Sequence, residues 1–127
     1  MELIAIVAGL AALQAFYFAF QVGQARVKHG VSAPAMSGNA GFERASRVHA
    51  NTIEQLVIFL PGLWMFGTYV DERIGAGIGL LFIIARFVYR NAYLGEPKNR
   101  SAGFGVGALS MIILVVGGMI GATMNLM

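Results

Sequence analysis

Long apolar segments alternate with short polar connections along the chain. Four segments approach the length of about 20 residues that a membrane-spanning helix needs; they cover about 3–22, 46–70, 74–94 and 103–126. Because lipid offers an unpaired backbone no hydrogen-bond partner, these segments are predicted to be helices. Short connections favour an antiparallel bundle. The pattern therefore predicts an all-α fold, an integral membrane four-helix bundle forming one domain over residues 1–127.

The first apolar segment is open to two interpretations, a signal peptide or a retained span. The chain begins Met1-Glu2, with no basic residue before the apolar run and no clear small-residue cleavage site after it. A secretory signal normally has both features, so a retained span is favoured.

Composition supports a bilayer environment. Of the 127 residues, 57% are hydrophobic and 12% are charged, against about 25% charged in a typical soluble protein. Cysteine is absent, and the two histidines, His29 and His49, are too few for a convincing zinc site. No metal and no nucleic-acid partner is predicted.

The basic residues predict an orientation. Eight of the nine Lys and Arg residues flank the first and third connections, and only Arg73 lies beside the second. Basic loops tend to stay in the cytoplasm, so that face is predicted to be cytoplasmic, with both termini outside. The compact length suggests a bacterial source, and hence a bacterial inner membrane.

Polar side chains form two stripes at this cytoplasmic end. On the second predicted helix the spacing is three, four and three residues, which keeps the side chains on one face. On the third predicted helix the spacing is three, one and three residues, which also places the side chains on one face. His49 points away from the first stripe. The two stripes consist of Arg44, Arg47, Asn51 and Glu54, and of Arg86, Tyr89, Arg90 and Tyr93.

Several explanations of these stripes stay open. Arginine near the end of a span often snorkels to the headgroups, and tyrosine often lies at the interface. Snorkelling does not explain Asn51 and Glu54, which lie deeper, where a carboxylate is costly unless paired. Arginines on the facing stripe could provide that pairing, so an internal ion-pair network without a ligand is one alternative.

A ligand is the other alternative. Guanidinium groups bind carboxylates through two parallel hydrogen bonds, and Glu54 can hold an ammonium group. A small zwitterion with more than one carboxylate fits, as glutathione does, although other acidic ligands fit too. A thiol near Arg100 would be stabilised as the thiolate, which is the nucleophile, and apolar walls could hold a lipophilic electrophile.

Four stretches together resemble one known family. "FERASRVHANTIE" (42–54) resembles the second-helix signature of the MAPEG family, the membrane-associated proteins in eicosanoid and glutathione metabolism. "QVGQARVKHGVS" (21–32), "ARFVYRNAYLG" (85–95) and "NRS" (99–101) resemble its first helix, its third helix and its thiol-activating arginine. That family has a similar length and four transmembrane helices, and it assembles as homotrimers.

The resemblance implies a glutathione site between adjacent subunits. Arg100 would stabilise the thiolate and Ser101 would assist by hydrogen bonding, while Arg44 and Arg86 would be secondary or structural. The residues implied to bind glutathione from one subunit are Arg47, Asn51, Glu54, Tyr89, Tyr93 and Arg100. The neighbouring subunit would contribute Arg26 and His49.

Two departures from the family pattern narrow the expected activity. Gln55 stands where some eicosanoid-forming members have tyrosine, which puts one glutathione contact in doubt. Residues 27–42 contain no Asp or Glu, which disfavours an acid-assisted isomerase. The resemblance therefore favours a detoxifying glutathione transferase, with peroxidase activity as a further expectation, over a dedicated eicosanoid synthase. Its partners would be the bilayer and a lipophilic electrophile.

Two other functions compete with this one. A non-catalytic lipid- or glutathione-binding member of the same family is the first, and the presence of Arg100 and both tyrosines argues against it. A small multidrug exporter is the second. Such exporters rely on a carboxylate inside the first span, and this span has none after Glu2.

Glycines recur at four-residue spacing in the third and fourth predicted helices. This spacing lets membrane helices approach closely, within a subunit or between subunits. Ordinary glycine enrichment in membrane spans is the alternative. The pairs are Gly75/Gly79, Gly103/Gly107 and Gly117/Gly121.

Overall fold

The computed structural model describes residues 1–95 and 100–127, with the side chain of Arg100 left out. Its helices are α1 (Glu2–His29), α2 (Ala40–Tyr69), α3 (Glu72–Leu94) and α4 (Arg100–Leu126). No strand occurs in the described ranges. The predicted all-α fold with four helices is therefore confirmed.

Each helix begins before the apolar segment that predicted it, and capping side chains set the starts of α2 and α3. The side chain of Asn39 accepts a hydrogen bond from the backbone N–H of Phe42 at 3.1 Å, which starts α2 well before residue 46. Asp71 caps α3 in the same way, accepting from the N–H of Ile74 at 2.8 Å. Gly30 ends α1 at φ 67°, a left-handed conformation that favours glycine.

Helices α2 and α3 form the centre of the bundle. Each contacts the other three helices, whereas α1 and α4 pack on opposite sides and do not touch within the described ranges. The rings of Phe59 and Phe82 stack with centroids 4.0 Å apart between the two central helices. Leu63 and Leu114 are fully buried beside them.

Close helix approach depends on glycine at defined positions. A Cβ atom on Gly103 of α4 would lie 2.6 Å from the backbone nitrogen of Tyr89 and 2.8 Å from the carbonyl oxygen of Ala85. A Cβ on Gly121 would lie 2.6 Å from the carbonyl oxygen of Tyr69. Backbone therefore packs on backbone, which confirms tight packing within one chain for these glycines. At Gly107 a Cβ would make only ordinary contacts, at 3.9 Å.

A carboxylate joins α1 and α3 at the end opposite the polar stripes. Glu72 accepts hydrogen bonds from the N-terminal ammonium group and from the N–H of Leu3, each at 3.0 Å. These bonds, the ammonium group first, lower the pKa of the Glu72 carboxyl. The ion pair fixes where the two helices start relative to each other.

Two of the described helices, α1 and the segment Ser101–Leu126 of α4, are long and apolar enough to cross a membrane by length and composition. Large hydrophobic side chains are exposed along all four helices, for example Phe16, Val57, Ile84 and Met119. In a bilayer such surfaces face lipid chains. Helices α2 and α3 remain predicted spans.

Candidate functional site

A cavity of about 580 Å³ lies where α2, α3 and the start of α4 meet. It is at the end of the bundle that carries the polar stripes. Its lining combines charged, amide, hydroxyl and aromatic groups, from Arg47, Asn51, Tyr89, Tyr93, Ser101 and Phe104. The structure thus brings together five of the predicted site residues and adds Phe104.

Helical spacing positions the lining residues in pairs. Arg47 and Asn51 are one turn apart on α2, and Tyr89 and Tyr93 are one turn apart on α3. The two tyrosine rings stack with centroids 5.6 Å apart, and the ring of Phe104 lies 6.2 Å from that of Tyr89. The close approach at Gly103 brings the first turn of α4 onto α3, which places Ser101 at the cavity.

Asn51 offers an unused hydrogen-bond acceptor. Its Oδ1 atom is buried and has no hydrogen-bond partner within the described part of the chain. An unpaired buried polar atom typically costs about 1–3 kcal/mol. Asn51 itself lines the cavity, so a turn of its side chain would present this acceptor to a donor group on a bound ligand.

Glu54 follows Asn51 on the same stripe but does not line the cavity. Its side chain is exposed. The salt bridges present among the described residues join only the N-terminal ammonium group to Glu2 and Glu72. The internal ion-pair network considered from the sequence is therefore not formed by these residues.

Arg26 is engaged away from the cavity. Its guanidinium donates to the carbonyl oxygen of Ala35 at 2.6 Å and to the sulfur of Met36 at 3.1 Å, and it lies 4.6 Å from the ring centroid of Phe42. It thus ties the α1–α2 connection to the end of α1. His49 is half-buried on another side of α2 and also lies outside the cavity lining.

Arg100 begins α4, but its side chain is outside the described structure. The next residue, Ser101, lines the cavity. The role that the resemblance implies for Arg100 therefore stays a prediction.

A buried polar cluster adjoins the cavity, and its pairing was missed by sequence reasoning. Arg86 is 1% exposed, and it donates to Oε1 of Gln55 at 3.1 Å and to Oγ1 of Thr52 at 2.7 Å. Thr52 in turn donates to the carbonyl oxygen of Val48 at 2.8 Å. The guanidinium carbon of Arg86 lies 4.4 Å from the ring centroid of Tyr89.

These contacts agree with a structural role for Arg86 and give Gln55 a definite partner. The available sequence signal was the three-residue spacing of Thr52 and Gln55, which puts two neutral polar groups on one face of α2. That spacing does not identify which residue of α3 they meet.

The remaining arginines of the stripes point elsewhere. Arg90 turns toward α1, where its Nε donates to Oε1 of Gln21 at 3.0 Å. Arg44 lines a second cavity of about 390 Å³ that shares Arg47 and Tyr93 with the first. Within the described ranges, no group of three His, Asp or Glu side chains is placed to hold a metal ion.

Comparison with known proteins connects this site to a family. The model of the MAPEG family matches residues 4–120. An uncharacterised protein of Synechocystis sp. is 43% identical, covering 91% of this chain and 85% of the relative. Microsomal glutathione S-transferase 2 of Mus musculus is 38% identical (91% and 82% covered), and leukotriene C4 synthase of Cavia porcellus is 34% identical (91% and 77% covered).

Proposed function

Because the chain belongs to the MAPEG family, we propose that it is a membrane-bound glutathione transferase. In this proposal glutathione is the co-substrate, and a lipophilic electrophile from the bilayer is the second substrate. Relatives named as a microsomal glutathione S-transferase and a leukotriene C4 synthase support a glutathione-related membrane enzyme. The cavity between α2, α3 and α4 is the observation that carries the proposal.

The chemistry of the cavity suits glutathione. Its volume of about 580 Å³ falls within the range of about 300–1,000 Å³ usual for small-molecule sites. The guanidinium of Arg47 can bind a glutathione carboxylate through two hydrogen bonds. The unpaired Oδ1 of Asn51 can accept from an N–H of the peptide.

The proposed reaction is thiolate attack. The positive charge of Arg100 favours loss of the thiol proton to solvent, and a hydrogen bond from Ser101 stabilises the thiolate. The sulfur lone pair then forms a bond to the electrophilic carbon, and the leaving group departs with its bonding electrons. Phe104 supplies an apolar wall for the electrophile.

The site is proposed to be completed by a neighbouring subunit of a homotrimer. Arg26 and His49 lie outside the cavity of their own chain, and these two positions suit residues that meet glutathione across a subunit interface. Glu54, whose side chain is exposed, is proposed to bind glutathione from the same subunit as Arg47 and Asn51. The cyanobacterial relative fits a bacterial source, so we place the trimer in the inner membrane, with the site on the cytoplasmic side and both termini outside.

The direct test uses the purified protein in detergent with glutathione and a chloronitrobenzene. We expect a sulfur–carbon bond to form with release of chloride, and Arg100→Ala to lose at least about 90% of the rate, since one positioned electrostatic group commonly contributes tenfold or more. Arg73→Ala, at the other end of the bundle, is the matched control and should retain full activity.

Two results would contradict the proposal. Equal rates for Arg100→Ala and the wild type would remove Arg100 from the mechanism. Calorimetric binding of glutathione without turnover of any electrophile would favour the non-catalytic binding protein.

A further inference from the structure

Arg86 carries a buried positive charge without a counter-ion in the described structure. Its side chain is 1% exposed, and none of the described carboxylates forms a salt bridge with it. Its Nε also lacks a hydrogen-bond acceptor. The partners that it does have, Thr52, Gln55 and the ring of Tyr89, are all neutral.

Such a charge cannot be relieved by losing a proton, since a guanidinium stays protonated in proteins. A buried ion is costly unless it is paired. In a medium of low dielectric constant its field also reaches further than it would in water. An anion bound nearby would therefore be stabilised by Arg86, and Arg86 by the anion.

The cavity adjoins Arg86 through Tyr89 and offers a place for such an anion. The guanidinium of Arg86 lies 4.4 Å from the centre of the Tyr89 ring, and Tyr89 itself lines the cavity. Tyr89 thus contacts the buried cation and also lines the cavity. On the α4 side, a Cβ added at Gly107 would lie 4.0 Å from Oε1 of Gln55.

We propose that Arg86 is a positioning residue that acts through Tyr89 and holds this tyrosine in place. Its positive charge would also stabilise the anionic sulfur of bound glutathione without touching it. The inference rests on the proposed transferase function and adds a second source of positive potential to that of Arg100. It also assigns a role to Gln55, a neutral acceptor that holds the guanidinium without cancelling its charge.

The thiol pKa would also depend on the other charged or titratable groups near the cavity. Arg47 lines the cavity from α2, and Tyr89 and Tyr93 line it from α3. Arg100 is the first residue of α4. The adjoining cavity adds Glu43 and Arg44. A unit charge about 10 Å away, in a medium with an effective dielectric constant of about 20, shifts a thiol pKa by roughly one unit.

The test is Gln55→Glu, which places a carboxylate beside Arg86 and neutralises its charge with little change of shape. The pKa of the bound thiol is read from the ultraviolet absorbance of the thiolate, titrated at saturating glutathione. We expect it to rise by roughly one unit. The pH profile of kcat/KM should move to higher pH by the same amount.

Two control variants separate charge from structure. Gln55→Leu removes the hydrogen bond without adding charge, so it should lower the Tm and leave the thiol pKa near that of the wild type. Arg73→Gln makes the same change in net charge at the far end of the bundle and should leave the titration unchanged. Should Gln55→Glu fail to fold, Arg86→Lys should keep the wild-type pKa and Arg86→Met should raise it.

The outcomes distinguish the two proposals. If the thiol pKa of bound glutathione is the same in the wild type and in Gln55→Glu, Arg86 does not stabilise the thiolate. The proposed transferase function is unaffected by that result. A wild-type protein that forms no thiolate at any pH overturns both.

Discussion

Asn51 shows how a single residue can be set for a ligand rather than for the fold. Its Oδ1 is buried and unpaired in the described structure, although amide oxygens in protein interiors are nearly always hydrogen-bonded. The unpaired oxygen lowers the stability of the free protein, and a hydrogen-bond donor on the ligand would remove this free-energy cost. Binding and stability should therefore respond in opposite directions when the amide is removed.

Asn51→Leu tests this expectation. The variant should leave the free protein as stable or up to about 1 kcal/mol more stable, because an unpaired polar atom is replaced by an apolar side chain of similar size. Its affinity for glutathione should fall by about tenfold, the equivalent of one hydrogen bond. Thermal unfolding in detergent and calorimetric titration measure the two effects. A loss of stability would mean that the amide serves the fold.

Helical spacing predicts which side chains share one face of a helix, but not which residues of other helices they meet. Arg47 and Asn51 lie one turn apart and line the cavity together, as their spacing predicted. Gln55 was predicted only as a doubtful ligand contact. Its hydrogen bond to Arg86 depends on the relative rotation and height of two helices, which no pattern within one helix determines.

Among the helices, the contact between α3 and α4 is the one that shapes the site. At Gly103 the two backbones approach so closely that an added Cβ would lie 2.6 Å from the nitrogen of Tyr89. Since Ser101 and Tyr89 both line the cavity, the spacing of these helices sets its width. Gly105, two residues along α4, has open space around it.

Gly103→Ala and Gly105→Ala therefore form a matched pair with opposite expected effects. Gly103→Ala must push α4 away from α3, which should cost about 1–3 kcal/mol of stability and weaken glutathione binding. Gly105→Ala should stabilise α4 by up to about 1 kcal/mol, because alanine favours a helix over glycine. Thermal unfolding and glutathione titration compare them. Similar effects at both positions would contradict the observed close approach.

The apolar segments predicted where the helices lie but not where they end. Hydropathy locates the part of a helix that faces apolar surroundings, whereas the ends depend on capping groups. Asn39 starts α2 at Ala40, so the charged turns before residue 46 are helical too. Helix α1 likewise continues to His29 and carries Arg26 to the α1–α2 connection.

For the whole molecule, the main question is how the residues that lie outside the cavity contribute. Arg26 contacts Ala35 and Met36 of its own chain, while the resemblance implies a role for it at a neighbour's glutathione. A sequence describes one chain, so periodicity alone cannot show which surfaces meet in an assembly. Complementation between two variant subunits can show whether residues of different subunits share one site.

Co-expression of Arg26→Ala with Arg100→Ala tests the shared site. Each variant alone should be nearly inactive. In randomly mixed copies of the proposed homotrimer, a subunit with intact Arg100 would lie next to one with intact Arg26 at about one quarter of the sites. About a quarter of the wild-type activity should therefore return. A mixture no more active than the mean of the two variants would place both residues in one subunit's site.

Phe104 has a consequence for how the proposed enzyme would meet its second substrate. The side chain lines the cavity, and 45% of its surface is exposed in the single chain. A lipophilic electrophile dissolved in the bilayer would thus reach the thiolate sideways, without crossing water. The turnover rate would then depend on the mole fraction of electrophile in the membrane. Adding protein-free lipid vesicles would lower that mole fraction and slow the reaction.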